Sequence, residues 1–177
     1  MEKWPFTVSQ RDDSGWTPLH IAAHLGNARF VDILLSKGNT PAYVRNKEGL
    51  SAFHIAAKEG HDEVMGVLMK ACPDIYELLD NRGRNALHTA AESGCWAGIN
   101  FLGCGQVVFE GLVNEQDNEG NTPSHLLVIN GYTDMADMLL NRGKIVLNAT
   151  NKEGFTTMDN VLTSKLHSRE VVCPQEF

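Results

Sequence analysis

Cysteine is scarce and irregularly spaced. The four residues Cys72, Cys95, Cys104 and Cys173 include no CxxC pair, which argues against a zinc ribbon and against a secreted disulfide framework. Reduced, packed thiols are expected, and Cys104, between Gly103 and Gly105, is the one placed for oxidation or lipidation if exposed. Long apolar runs are also missing. Leu126–Ile129 is four residues, against the roughly 18 that a membrane helix needs, so no direct membrane insertion by this chain is expected. An excess of basic residues is lacking too. Fifteen Lys and Arg stand against 22 Asp and Glu, for a formal charge of −7, which repels a phosphate backbone and excludes nucleic acid as the expected partner. The opening MEKWPFTVSQRDDSG has no apolar stretch followed by a small-residue cleavage site, so no secretory signal is read and cytoplasmic residence is expected. Otherwise the composition, 42% hydrophobic and 21% charged with 16 Gly and 6 Pro, is that of a chain that folds.

What is present is a repeat. GWTPLHIAAHLG from Gly15 returns as GLSAFHIAAKEG from Gly49, GRNALHTAAESG from Gly83, GNTPSHLLVING from Gly120 and a decayed GFTTMDNVL from Gly154. The lead glycines are 34, 34, 37 and 34 residues apart. His20, His54, His88 and His125 keep the same step, as do Gly26, Gly60, Gly94 and Gly131. Self-similarity at such a period is the mark of a solenoid.

Each unit reads as two helices. Thr17, Ser51, Asn85, Thr122 and Thr156 stand two residues after the lead glycine, and their side chains suit a helix N-cap. Pro18 and Pro123 follow at the first helical position, where a missing N–H costs nothing. The later glycines end that helix in the left-handed conformation. Its alanines, Ala22 with Ala23, Ala56 with Ala57 and Ala90 with Ala91, permit close stacking. A second, amphipathic helix follows, carried by Phe30, Val31, Ile33, Leu34 and Leu35 in the first unit and by similar spacings in the next three. Polar turns, RNKEG, DNRG, DNEG and NKEG, connect the units. One unit cannot bury both of its faces, so the units must stack.

The TPLH element, the near matches AFHIAA and ALHTAA and the 34-residue step resemble the ankyrin repeat. The resemblance covers residues 12–163, in units of about 12–45, 46–79, 80–116, 117–150 and a partial 151–163, with an N-terminal segment 1–11 and a tail 164–177. It implies an all-α solenoid of stacked helix-turn-helix units with hairpin-like connectors. NKEGLSAFHIAAKEGH, CPDIYELLDNRGRNALHTAAESG and NATNKEGFTTMD look like a plant subgroup, similar to the accelerated-cell-death proteins, in which a cytosolic array precedes membrane helices and acts in defence and salicylate signalling. That implies a plasma-membrane or endomembrane cytosolic face for a product that carries the membrane part, which these residues lack. The alternatives are a soluble adaptor of ubiquitin-ligase or transcription-regulator complexes, and a truncated product without its own function.

Ankyrin arrays usually bind protein partners on a concave surface of connector tips and first-helix ends. By position, the resemblance implies partner-binding roles for Trp16, Lys47, Glu48, Leu50, Arg82, Arg84 and Asn121 at the tips, and His24, Lys58, Glu59 and Glu92 at the helix ends. Further candidates are Ser14, Glu119, Lys152 and Phe155 at the tips and Leu25, Ser93, Ile129 and Asn130 at the helix ends. Trp16 and Arg84 weigh most, because aromatic and Arg side chains dominate binding hot spots. For the charged positions the plain alternative is a solvated surface, and for Trp16 it is packing against Trp4–Phe6.

No enzyme is expected. His20 and His24 stand at i and i+4, but Ile21 occupies the place of the HExxH glutamate. A histidine that recurs once per repeat serves the repeat, so His20, His54, His88 and His125 are structural, together with Thr17 and Thr122; each imidazole is expected neutral with both nitrogens engaged. No P-loop, GxSxG or kinase motif occurs. No cofactor, metal or small-molecule substrate is expected. Gly98 within a second helix, followed by GCGQVVFEG with its three extra residues, marks a weak helix. The larger Leu126, Leu127 and Val128 in the fourth unit are expected to loosen stacking or change curvature, and at least one end of the array is expected to lack a cap.

Overall fold

The computed structural model describes residues 10–103, 111–141, 145–146 and 148–159. The expectations for Trp4–Phe6, Cys104, Cys173 and the tail 164–177 lie outside them. The fold is an all-α solenoid in which, among the described residues, four helix pairs stack in chain order. They are α1 (Pro18–His24) with α2 (Ala28–Leu35), α3 (Ala52–Glu59) with α4 (Asp62–Ala71), α5 (Ala86–Ser93) with α6 (Trp96–Gly103), and α7 (Pro123–Ile129) with α8 (Thr133–Asn141). Short 3₁₀ turns, Thr40–Tyr43 and Ile75–Glu77, follow the first two pairs. The first helices pack against one another along the stack, α1 on α3, α3 on α5 and α5 on α7.

Local chemistry explains the pattern. Each first helix starts at the expected hydroxyl or amide residue, held in extended backbone. It stops where the chain turns left-handed: Gly60 has φ +79°, and a Cβ there would also strike Cys95 Sγ. Alanine at 22, 23, 52, 56, 57, 86, 90 and 91 is buried, which brings neighbouring helices close enough for Leu19, Phe53, Leu87, Val31, Met65 and Ile99 to form one continuous core. Cys72 caps α4 and is buried within that core.

Two departures receive a different account from the one the sequence invites. Gly98 has a packing reason in the preceding unit: a Cβ on it would run into the carbonyl oxygen of Ala57 and approach the Ala90 side chain at 3.1 Å. The glycine is what lets α6 lie against the end of α3, and Ile99 and Leu102 beside it are fully buried. Leu126, Leu127 and Val128 are buried as well. In the same unit Ser124 is buried where the other units place Leu19, Phe53 and Leu87, with its hydroxyl lacking any hydrogen-bond partner among the described residues.

Each connector closes as a tight hairpin-like turn, the amides of Asp12, Asn46, Asp80, Asp117 and Asn151 donating to the carbonyls of Trp16, Leu50, Arg84, Asn121 and Phe155. The fifth unit is represented by residues 148–159, where the chain turns helical at 157–159. There Asp159 stands at the histidine position and its carboxylate accepts from the Thr156 amide at 2.9 Å and hydroxyl at 2.6 Å. These bonds hold the Asp159 carboxyl below the usual carboxylate range.

Candidate interaction surface

The connector tips are locked twice. Within each turn one side-chain oxygen accepts two amides: Asp12 from Ser14 and Trp16, Asn46 from Glu48 and Leu50, Asp80 from Arg82 and Arg84, Asp117 from Glu119 and Asn121, Asn151 from Glu153 and Phe155. Between turns the backbone continues the register. Lys47 N–H donates to Ser14 O at 3.1 Å, Asn81 to Glu48 O at 3.2 Å, Asn118 to Arg82 O at 2.8 Å and Lys152 to Glu119 O at 2.9 Å. The side chains of Asn81 and Asn118 add bonds to Lys47 O and Asn81 O. Five tips thus form one ladder. These acceptors and rungs escaped the assignment of roles from sequence, although an Asp or Asn three residues before every lead glycine was the available signal.

Beneath the tips lie the four histidines. Thr17 N–H donates to His20 Nδ1 at 3.1 Å and His20 Nε2 lies 3.0 Å from Leu50 O, in the next unit. His54 bridges Ser51 and Arg84 O, His88 bridges Asn85 and Asn121 O, and His125 bridges Thr122 and Phe155 O, with Nε2 distances of 3.1, 3.0 and 3.1 Å. An amide only donates and a carbonyl only accepts, so His20, His54 and His125 carry their proton on Nε2. The nearby hydroxyls of Thr17, Ser51 and Thr122, 2.7–2.8 Å from Nδ1, donate to it. Burial strips water from the imidazolium and lowers all four pKa values, that of His88 to about 4.

His88 meets a different partner. Asn85 N–H donates to Nδ1 at 3.3 Å as in the other units, but Asn85 Oδ1, an acceptor, stands 2.8 Å from that nitrogen where the others place a hydroxyl, so a donor and an acceptor both face it. The amide nitrogen of Asn85 is engaged elsewhere, with Nδ2 donating to Leu112 O at 3.1 Å and Glu115 Oε2 at 2.6 Å. An asparagine replaces the hydroxyl in the unit whose connector is three residues longer, and it ties that connector down.

The candidate binding residues divide by exposure. His24, Lys47, Glu48, Lys58, Glu59, Arg82 and Glu92 are exposed, and Trp16 and Asn121 are half-buried. Trp16 packs edge-on to the His24 ring, centroids 5.6 Å apart, and 6.1 Å from that of His20. His24 Nδ1 lies 3.2 Å from Glu59 Oε1 across the first junction. Leu50 and Arg84 are displaced from the expected role by burial. Leu50 sits in the core beneath its turn, its carbonyl taken by His20. Arg84 is buried between Glu92 Oε2 at 2.6 Å and Asp117 Oδ2 at 3.4 Å, so its guanidinium joins the third unit to the fourth instead of facing outward. His20 and His24 do not form a ligand pair, because both nitrogens of His20 are engaged. Among the described residues no group of three His, Cys, Asp or Glu is placed to hold a metal ion, and no helix is long and apolar enough to cross a membrane.

The comparisons with known proteins fit this arrangement. The family model for ankyrin repeats in three copies matches residues 26–108, and that for a single ankyrin repeat matches residues 119–152. No curated protein matches the chain.

Proposed function

The chain belongs to the ankyrin-repeat family, a family of protein-interaction modules, and from that premise we propose that it binds its partner, without catalysis, across the connector tips and the C-terminal ends of the first helices. The observation that supports this most is the ladder of tip-to-tip backbone bonds. A surface already held in register loses little conformational entropy when a partner docks. On it Lys47, Glu48, Arg82, Lys58, Glu59 and Glu92 mix both signs, and Trp16 at the first tip and Phe155 at the last supply large aromatics. The reading therefore calls for a polar polypeptide surface of mixed charge with an apolar anchor for Trp16. The sequence resemblance to the accelerated-cell-death proteins supports a finer setting: defence signalling at the cytosolic face of a plant membrane.

Affinity capture with the parent chain and with Trp16→Ala and Arg82→Ala variants tests the site. Trp16→Ala is expected to weaken the captured partner at least tenfold at a temperature where the variant remains folded, and Arg82→Ala to weaken it less. Arg84→Ala belongs in the series as the contrast, since leaving Asp117 buried without its cation is expected to cost about 2 kcal/mol of stability. A partner retained at full affinity by the Trp16→Ala, Arg82→Ala double variant overturns the assignment.

A further inference from the structure

Three of the four repeat histidines face a hydroxyl that can turn; His88 does not. In units one, two and four the group nearest Nδ1 is the hydroxyl of Thr17, Ser51 or Thr122, which donates to a bare nitrogen and accepts from a protonated one. At His88 that place is taken by Asn85 Oδ1, which only accepts. The Asn85 amide is held against turning round to offer its nitrogen. Oδ1 accepts the His88 backbone N–H at 3.0 Å, and Nδ2 donates to Leu112 O at 3.1 Å and to Glu115 Oε2 at 2.6 Å, so a reversed amide would set an oxygen against two acceptors. A bare Nδ1 keeps the Asn85 N–H at 3.3 Å but meets a lone pair at 2.8 Å, whereas a protonated Nδ1 gains a charge-assisted bond of that length. On the other side of the ring Nε2 stands 3.0 Å from Asn121 O, to which an imidazolium also donates. The charges around the ring are mixed. Burial opposes the cation most, Asp117 in the connector after α6 and Asp80 ahead of α5 favour it, and Arg84 opposes it. Of the helices packed on α5, α6 and α7 contain no Asp, Glu, Lys or Arg, and Lys58 and Glu59 stand exposed at the C-terminal end of α3. His54 and His125, on α3 and α7, are held by their own amides and carbonyls, and Glu92 on α5 is paired with Arg82 and Arg84.

We infer that His88 and Asn85 form a proton-operated latch on the connector at residues 112–115. With the proton on, the imidazolium donates to Asn121 O and to Asn85 Oδ1, and Asn85 Nδ2 donates onward to Leu112 O and Glu115, so one chain of bonds runs from the fourth tip to the connector. With the proton off, Oδ1 is set against a bare nitrogen and the hold of Asn85 on the connector loosens. The held segment places Leu112 and Val113 in the core, and Gln116 beside it donates to Thr150 O at 2.9 Å, so the latch bears on the third junction and on the one after it. Proton and connector are thereby linked reciprocally: a chain that cannot latch holds its His88 proton more weakly.

Proton–nitrogen spectra of the side chains in the whole protein, recorded from neutral pH into acid, test this. In the parent, His88 is expected to pass to the imidazolium pattern while the fold persists, and the Asn85 side-chain amide resonances to shift with the same midpoint. Asn85→Thr, which restores the hydroxyl of the other units, is expected to lower that midpoint by about one pH unit, a tenfold loss of proton affinity. Glu115→Ala, at an exposed position, is expected to move it in the same direction, and Glu115→Gln, which keeps an acceptor without the charge, to move it less. A His88 ring still neutral when the chain unfolds overturns the inference. So does an Asn85 amide that fails to follow the ring, a midpoint that Asn85→Thr and Glu115→Ala leave in place, or an effect of Glu115→Gln equal to that of Glu115→Ala, which means that charge alone acts. If Asn85→Thr does not fold, the parent and the two Glu115 variants decide by the same criteria.

Discussion

An imidazole whose nitrogens are committed to an amide and a carbonyl has no lone pair left for a substrate or a metal. That is the condition of His20, His54 and His125, and it turns a residue that invites a catalytic reading into a fastener between units. Because burial depresses their pKa values, the unfolded chain takes up protons below about pH 6.5 while the folded chain does not. The histidine contribution to stability is therefore complete above that pH and lost as pH falls toward about 4, the value for His88. Urea unfolding at pH 7.5 and 5.5 should show a drop at the lower pH of up to about 1.4 kcal/mol per pH unit for each ring; equal stability would mean that the rings are protonated in the fold. Ser124 predicts the opposite sign from most core substitutions. Ser124→Ala removes a buried hydroxyl with no partner and should raise stability by about 1 kcal/mol in the same assay. A loss of that size would show that the hydroxyl is satisfied.

At the scale of the element, the legibility of the sequence depended on what sets each feature. Helix starts and stops were readable because caps and left-handed glycines act within a few residues, and the alternation of small and large apolar residues gave the stacking. Gly98 looks like a weakness in sequence because its reason lies in the preceding unit, at Ala57 O, and no local pattern reports a close approach between helices. The two accounts differ in sign. Helix propensity makes Gly98→Ala stabilising by about 1 kcal/mol; the packing against α3 makes it destabilising by about 1–3 kcal/mol. Chemical denaturation of that variant decides between them. Arg84 and Leu50 show the same limit. Their place beside the lead glycine marked them as tip residues, but the turn directs them inward, and the carboxylate that holds Arg84, Asp117, belongs to the next unit.

For the whole molecule, the repeat was visible and the ladder was not, because a repeat is a property of the sequence and inter-unit bonds are a property of the stack. Each junction combines an alanine-lined apolar contact with tip amides above it, and the imidazole ties every unit to the carbonyl of the next. Such a stack behaves as a chain of nearest-neighbour contacts, and its tips stay aligned only while those ties hold. The most direct test is a long-range proton–nitrogen correlation spectrum of the histidine side chains at neutral pH. The account predicts that His20, His54 and His125 carry their proton on Nε2, leave Nδ1 bare, and show coupling across the hydrogen bonds to the carbonyls of Leu50, Arg84 and Phe155. Rings protonated on Nδ1, or rings whose Nε2 proton exchanges freely with water, would contradict it.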